Sequence, residues 1–166
     1  MTGDSVDEAQ EWLSAISTGD RWRDRSGSSV LPAARTVTVG LAAVPESVKD
    51  ARDFARTALC AWGLAGMYDD VRLVVSELVT NAMRYGSGRP YGAEGMPIRL
   101  TLLRAGGRLT CAVTDPSDEI PVHSEPDFVS QTGRGLHLVE AFSDSWNWAP
   151  LSGHGKVVWA CFRCPE

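Results

Sequence analysis

Val71-Arg72-Leu73-Val74-Val75-Ser76-Glu77-Leu78-Val79-Thr80-Asn81-Ala82-Met83-Arg84-Tyr85-Gly86 is the stretch from which the rest of the chain can be placed. Val71, Val74, Val75, Leu78 and Ala82 recur at i, i+3, i+4, i+7 and i+11, the spacing of one apolar stripe on an amphipathic helix. Glu77 and Asn81 fall on a different face. At 100° per residue they project within roughly 40° of each other, so a carboxylate and a carboxamide stand one turn apart at the flank of the buried stripe. The pair can offer a proton acceptor and an oxygen ligand to one small site, although most helices also carry a Glu and an Asn as ordinary surface.

Outward from this helix the chain alternates strands and helices. Upstream, Thr36-Val37-Thr38-Val39 alternates like a strand, and Pro45-Glu46 opens a helix to about Trp62 with Phe54, Ala55, Ala58 and Leu59 as core positions. Gly63 to Gly66 breaks that helix. Downstream, Gly86 to Gly95 is rich in Gly and Pro and reads as a mobile loop. Ile98 to Leu102 and Leu109 to Val113 flank Gly106-Gly107 as a β-hairpin, with Asp115 terminating the second strand. Pro116 to Thr132 is a loop leading into Gly133-Arg134-Gly135 and a helix from Leu136 to Phe142. Trp146-Asn147-Trp148 and Val157 to Phe162 supply two closing strands. The order β-α-α-β-β-α-β-β implies an α+β fold, a two-layer sandwich in which helices cover one face of a mixed or antiparallel sheet.

The 166 residues, 43% hydrophobic, suit one domain with an appendage. Residues 1–34 form the appendage, an acidic arm with Val6, Ala9, Leu13 and Ile16 as a weak helical stripe and Trp12 as an aromatic anchor. It is either partly helical and docks on a partner or a second copy, or a mobile extension. Residues 35–166 form the domain. Asp4, Asp7, Glu8, Glu11 and Asp20 account for the whole formal charge of −5, and the remaining 16 acids equal the 16 bases. With no basic stripe, nucleic-acid binding is disfavoured. No stretch approaches the roughly 20 apolar residues of a membrane span, and no secretory signal is legible at the N-terminus, so a cytoplasmic protein is expected. Cys161 and Cys164 make a C-x-x-C pair without further ligands at metal spacing, and the four cysteines read as buried free thiols. The six tryptophans read as packing residues.

Two further elements carry chemistry. In Gly133-Arg134-Gly135-Leu136 the glycines let backbone N–H groups approach a ligand, and the following helix directs its positive end at an anion, phosphate being the natural one; a tight loop is the plainer alternative. Arg134 adds a guanidinium suited to bidentate phosphate contacts. Asp115, an acceptor-only carboxylate at a strand end, can read an exocyclic amine such as that of adenine, or cap a turn. Arg84 reads as a surface salt-bridge residue, and His137 as a packed or half-exposed side chain.

In their order along the chain, Glu77 and Asn81, then Asp115, then Gly133 to Leu136, the three elements resemble the GHKL ATPases, a superfamily with a histidine kinase-like ATPase domain. Glu77-Leu78-Val79-Thr80-Asn81-Ala82 looks like their asparagine box, Asp115 their first glycine box, and Gly133-Arg134-Gly135-Leu136 their second. Residues 36 to 163 are covered, and the nearest branch is the anti-sigma-factor serine/threonine kinases. The resemblance implies a Bergerat-type pocket for ATP and Mg²⁺. Asn81 would ligate the metal and Glu77 would be the catalytic base. Asp115 would take the adenine amine, and Gly133, Arg134, Gly135 and Leu136 would line the phosphates. It also implies a transcription regulator that binds a sigma factor or its antagonist, an anti-anti-sigma-type protein, and phosphorylates a serine on the antagonist; homodimers occur among such kinases. Two departures stand out. Ser117 and Glu119 replace the glycines of the first box, and Val157 falls where relatives carry an adenine-contacting threonine. These motivate the alternative of a non-catalytic interaction module with a degenerate pocket.

Overall fold

The computed structural model describes residues 35–86, 98–105, 107–116, 132–150 and 155–165. The arm, the Gly86 to Gly95 loop beyond Gly86, Ser117 and Glu119 lie outside the described residues, as do the side chains of Thr132 to Gly135.

Among the described residues the elements are β1 (Arg35–Leu41), α1 (Glu46–Ala61), α2 (Tyr68–Gly86), β2 (Ile98–Ala105), β3 (Arg108–Asp115), α3 (Thr132–Phe142), β4 (Ser145–Pro150) and β5 (Lys156–Arg163), with a 3₁₀ turn, Ala65–Met67, between α1 and α2. This is the expected order. The five strands form one sheet in the order β1-β2-β3-β5-β4, and every neighbouring pair is antiparallel. Of the two sheet types the sequence allowed, the antiparallel one is realised, because each neighbouring pair runs up and then down. Pro150, which has no N–H to donate, ends an edge strand, where that loss is tolerated.

The apolar stripe of α2 is wholly interior: Val71, Val74, Val75, Leu78 and Ala82 are buried, joined by Val79. α2 packs against both α1 and α3, and on its inner side against β2, β3 and β5. α1 approaches through a column of small residues, Ser47, Ala51, Ala55 and Ala58, with Leu59 below; Phe54 is only half-buried. Its C-terminal end is capped from the sheet, where the Arg104 guanidinium donates to the carbonyl of Trp62. That bond satisfies a carbonyl the helix cannot and sets a cation at the negative end of its dipole.

On the helix-facing side of the sheet, Ile98, Leu100, Leu102, Leu109, Cys111, Val113, Val158, Ala160 and Phe162 complete the main core. The opposite side carries a second, smaller cluster of Ala112, Ala149, Val157 and Trp159. Its existence explains why β5 reads as a nearly continuous apolar run instead of clean alternation. The four described tryptophans are packing residues: Trp62 and Trp159 are buried and Trp146 and Trp148 lean on the main core. Trp12 and Trp22 lie outside the described residues. Of the cysteines only Cys111 is buried, its thiol pushed far up by desolvation, while Cys60 is exposed on α1 and Cys161 and Cys164 are half-buried. The expectation of four buried thiols is therefore corrected. Cys60 falls on the outer face of α1, opposite its alanine column.

Candidate functional site

The asparagine-box pair stands where the helical period put it. Ser76, Glu77, Thr80 and Asn81 are all half-buried, forming a flank between the core stripe of α2 and its exposed side. The Glu77 carboxyl is held above its ordinary value because burial penalises the charged form, and the Arg84 guanidinium offsets part of this. Arg84 itself is exposed, two turns beyond Glu77. A half-desolvated carboxylate with a raised pKa is a better proton acceptor than one in water, and such groups concentrate at working sites.

The glycines of the second box differ from expectation in one respect. The helix does not begin at Leu136; it begins at Thr132, so Gly133, Arg134 and Gly135 make up its first turn instead of the loop before it. Their backbone N–H groups are therefore among those that no preceding helical carbonyl can satisfy. Leu136 is buried, so its side chain belongs to the interior, and His137 is half-buried as read.

Asp115 is the last residue of β3, and it is buried along with its neighbour across the sheet. That neighbour is Lys156: in the β3–β5 register Asp115 pairs with Lys156, Thr114 with Val157 and Val113 with Val158. Lys156 Nζ donates to Asp115 Oδ1 at 3.1 Å, with the two side chains only 5% and 2% exposed. The position facing Asp115 is thus Lys156, and the assignment of Val157 is corrected. Val157 points to the other side of the sheet, into the cluster with Trp159. Gly155, just before Lys156, has φ +89, and a Cβ built there would lie 2.4 Å from the carbonyl oxygen of Asp115. Only glycine lets the two chains come this close. Nothing in the sequence marks Lys156 by itself; Gly155 was the one available signal, because a glycine at a strand entrance often marks a close backbone approach.

The antiparallel sheet, the three helices on one face and the half-buried flank carrying Glu77 and Asn81 are the setting in which residues 41–162 match the histidine kinase-like ATPase domain. The chain belongs to this family. The match spans from the end of β1 to the penultimate residue of β5, and the family lies within the GHKL superfamily. No curated protein matches the chain. Family membership implies ATP binding, typically with Mg²⁺. The residues present suit that pair: the Asn81 amide oxygen is a hard donor of the kind Mg²⁺ prefers, and the first turn of α3 supplies N–H groups for phosphate oxygens. Among the described residues, no helix is long and apolar enough to cross a membrane.

Proposed function

We propose that this chain is an ATP-binding regulatory protein that transfers phosphate to a serine of a partner protein. The supporting observation is the state of Glu77, a half-buried carboxylate with a raised pKa one helical turn from Asn81. Residues 35–166 form the ATPase domain and residues 1–34 an acidic arm for partner contact. By its likeness to anti-sigma-factor kinases, the partner is a sigma factor or its antagonist, in the cytoplasm, and the serine is on the antagonist.

Bound Mg²⁺ and ATP supply an activated phosphoryl group. Asn81 would hold the metal through its amide oxygen, and Glu77 would accept the proton of the incoming serine hydroxyl as its oxygen bonds to the γ-phosphorus and ADP leaves, general-base work for which a raised pKa is an advantage. The N–H groups of Gly133 and Gly135 and the Arg134 guanidinium hold phosphate oxygens, and Asp115 accepts the exocyclic amine of the base. A second reading is a non-catalytic interaction module, favoured by one observation: Asp115 is already engaged by Lys156.

Titration with ATP, with and without Mg²⁺, separates the two. The kinase reading requires binding that tightens with Mg²⁺ and an Asn81→Ala variant in which the Mg²⁺ gain disappears. Labelled ATP with a serine-bearing partner then tests transfer. Undiminished transfer by Glu77→Ala removes the base from the mechanism, and tight partner binding with no nucleotide binding establishes the interaction module.

A further inference from the structure

The second apolar cluster needs a cover that none of the three helices supplies. Ala112, Ala149, Val157 and Trp159, with Leu103 and Cys161 at the margin, all come from strands, and no residue of α1, α2 or α3 belongs to the cluster. Side chains on a strand stand roughly perpendicular to the sheet, so neighbours shield the flanks of an indole and leave its tip to solvent. Yet Trp159 is only 4% exposed and Val157 1%, and burial extends along the same side to Thr101 and Thr110. It is reached within a single chain, without a second copy.

Residues 1–34 are the segment placed to supply the cover. They enter the fold at Arg35 on edge strand β1, across from Arg104 and so at the end of the sheet where Arg108 and Arg163 stand. Residues 87–97 and 117–131 instead run between the other end of the sheet and a helix of the opposite layer, and residues 151–154 belong to the short β4–β5 connection.

The pattern and length of the arm fit the face. Val6, Ala9, Trp12, Leu13 and Ile16 fall within about 120° of a helix circumference, and Asp4, Asp7, Glu8 and Glu11 within about 100° on the other side. Residues 6–16 make about 16 Å of helix, against about 14 Å from β1 across β2 and β3 to β5. Residues 17–34 can span about 60 Å when extended, ample to bring that stretch over the sheet.

Charge agrees. Arg99, Arg108 and Arg163 fall on this side by strand alternation and are exposed, and no strand residue on this side is acidic. Arg108 and Arg163 sit directly opposite each other in the ladder, a like-charge pairing that is destabilising by itself. Asp144, just before β4, is bonded to the Arg163 backbone N–H. Residues 1–20 bring five acids and no Lys or Arg.

We infer that residues 6–16 lie as an amphipathic helix across the outer face of the sheet, their apolar stripe on Trp159 and its neighbours. The arm is then a third layer of the domain. Nucleotide turnover does not enter into this, and the acidic side of the helix stays outward, where a partner can reach it.

Two measurements on the full chain decide. Hydroxyl-radical footprinting read by peptide mass spectrometry compares Trp159 with Trp62, which is buried in the main core, in the wild type and in a Leu13→Glu/Ile16→Glu variant. Trp159 should oxidise several-fold faster in the variant, and Trp62 at an unchanged rate. Equal protection of Trp159 in both proteins overturns the inference. Where the variant unfolds and both tryptophans react, NOE spectroscopy of the wild type decides alone. Contacts within one chain between the Trp159 indole and the methyl groups of Val6, Leu13 or Ile16 are expected. An indole without such contacts, or with contacts that form only between differently labelled copies, overturns the inference.

Discussion

Replacement of Gly155 by alanine should be among the most damaging one-carbon changes available to this protein. Two costs add. At φ +89 an L-residue is strained, which costs about 1–2 kcal/mol. The new Cβ would also lie 2.4 Å from the Asp115 carbonyl oxygen, 3.3 Å from its carbonyl carbon and 3.1 Å from Pro116 Cα. All three are backbone atoms, so no side chain can swing away; β3 and β5 must part locally, an overpacking cost of about 1–3 kcal/mol. The expected loss is about 2–5 kcal/mol. Urea unfolding followed by circular dichroism measures it. Gly107→Ala is the control, because Gly107 also has a positive φ of +74, in the β2–β3 turn, but an added Cβ there meets nothing within 4 Å. It should lose only the conformational part, about 1–2 kcal/mol. The difference between the two variants isolates the contact. If Gly155→Ala is destabilised no more than Gly107→Ala, the close approach of β5 to Asp115 does not exist as described.

Lys156→Met should destabilise the fold by about 3–5 kcal/mol, because it takes the ammonium away from the buried Asp115 carboxylate, whereas a Lys156→Met/Asp115→Leu double variant should recover most of that loss; urea midpoints of the three proteins check the cycle. Glu77→Gln should stabilise the protein in a pH-dependent way. Since folding raises the Glu77 pKa above its ordinary 4.5, the native state holds the proton more tightly than the unfolded chain. The stability of the wild-type protein therefore falls as pH rises through the folded pKa. The variant should match the wild type well below pH 4.5 and exceed it at neutral pH, and equal stabilities at both pH values would contradict the desolvation of Glu77. Arg84→Ala removes the influence that lowers the Glu77 pKa, so the carboxyl should titrate at a higher pH than in the wild type when followed by NMR.

The legible parts of the fold are those set by local periodicity. The α2 stripe from Val71 to Ala82 and the flank position of Glu77 and Asn81 follow from 100° per residue, which holds regardless of what packs against the helix. The β2–β3 hairpin was readable because its turn lies between two alternating runs, and the order of elements followed from the same patterns. The boundaries were less so: α3 starts at Thr132 instead of Leu136, since two glycines in a first turn look like a loop to a propensity argument. The burial of Ala112, Ala149, Val157 and Trp159 on the far side of the sheet was equally hidden, because a run of apolar residues does not say how many faces it buries.

By itself, then, the sequence determined the helices and strands, their order, and the pairing of an acid with an amide on one flank of α2, because each depends on residues within a few turns of one another. The tertiary structure alone decided which residue confronts Asp115. Lys156 lies 41 positions away, and in a ladder of period two a slip of one residue exchanges one face for the other. Register, set by the whole sheet and pinned at Gly155, is what puts an ammonium there and sends Val157 to the opposite side.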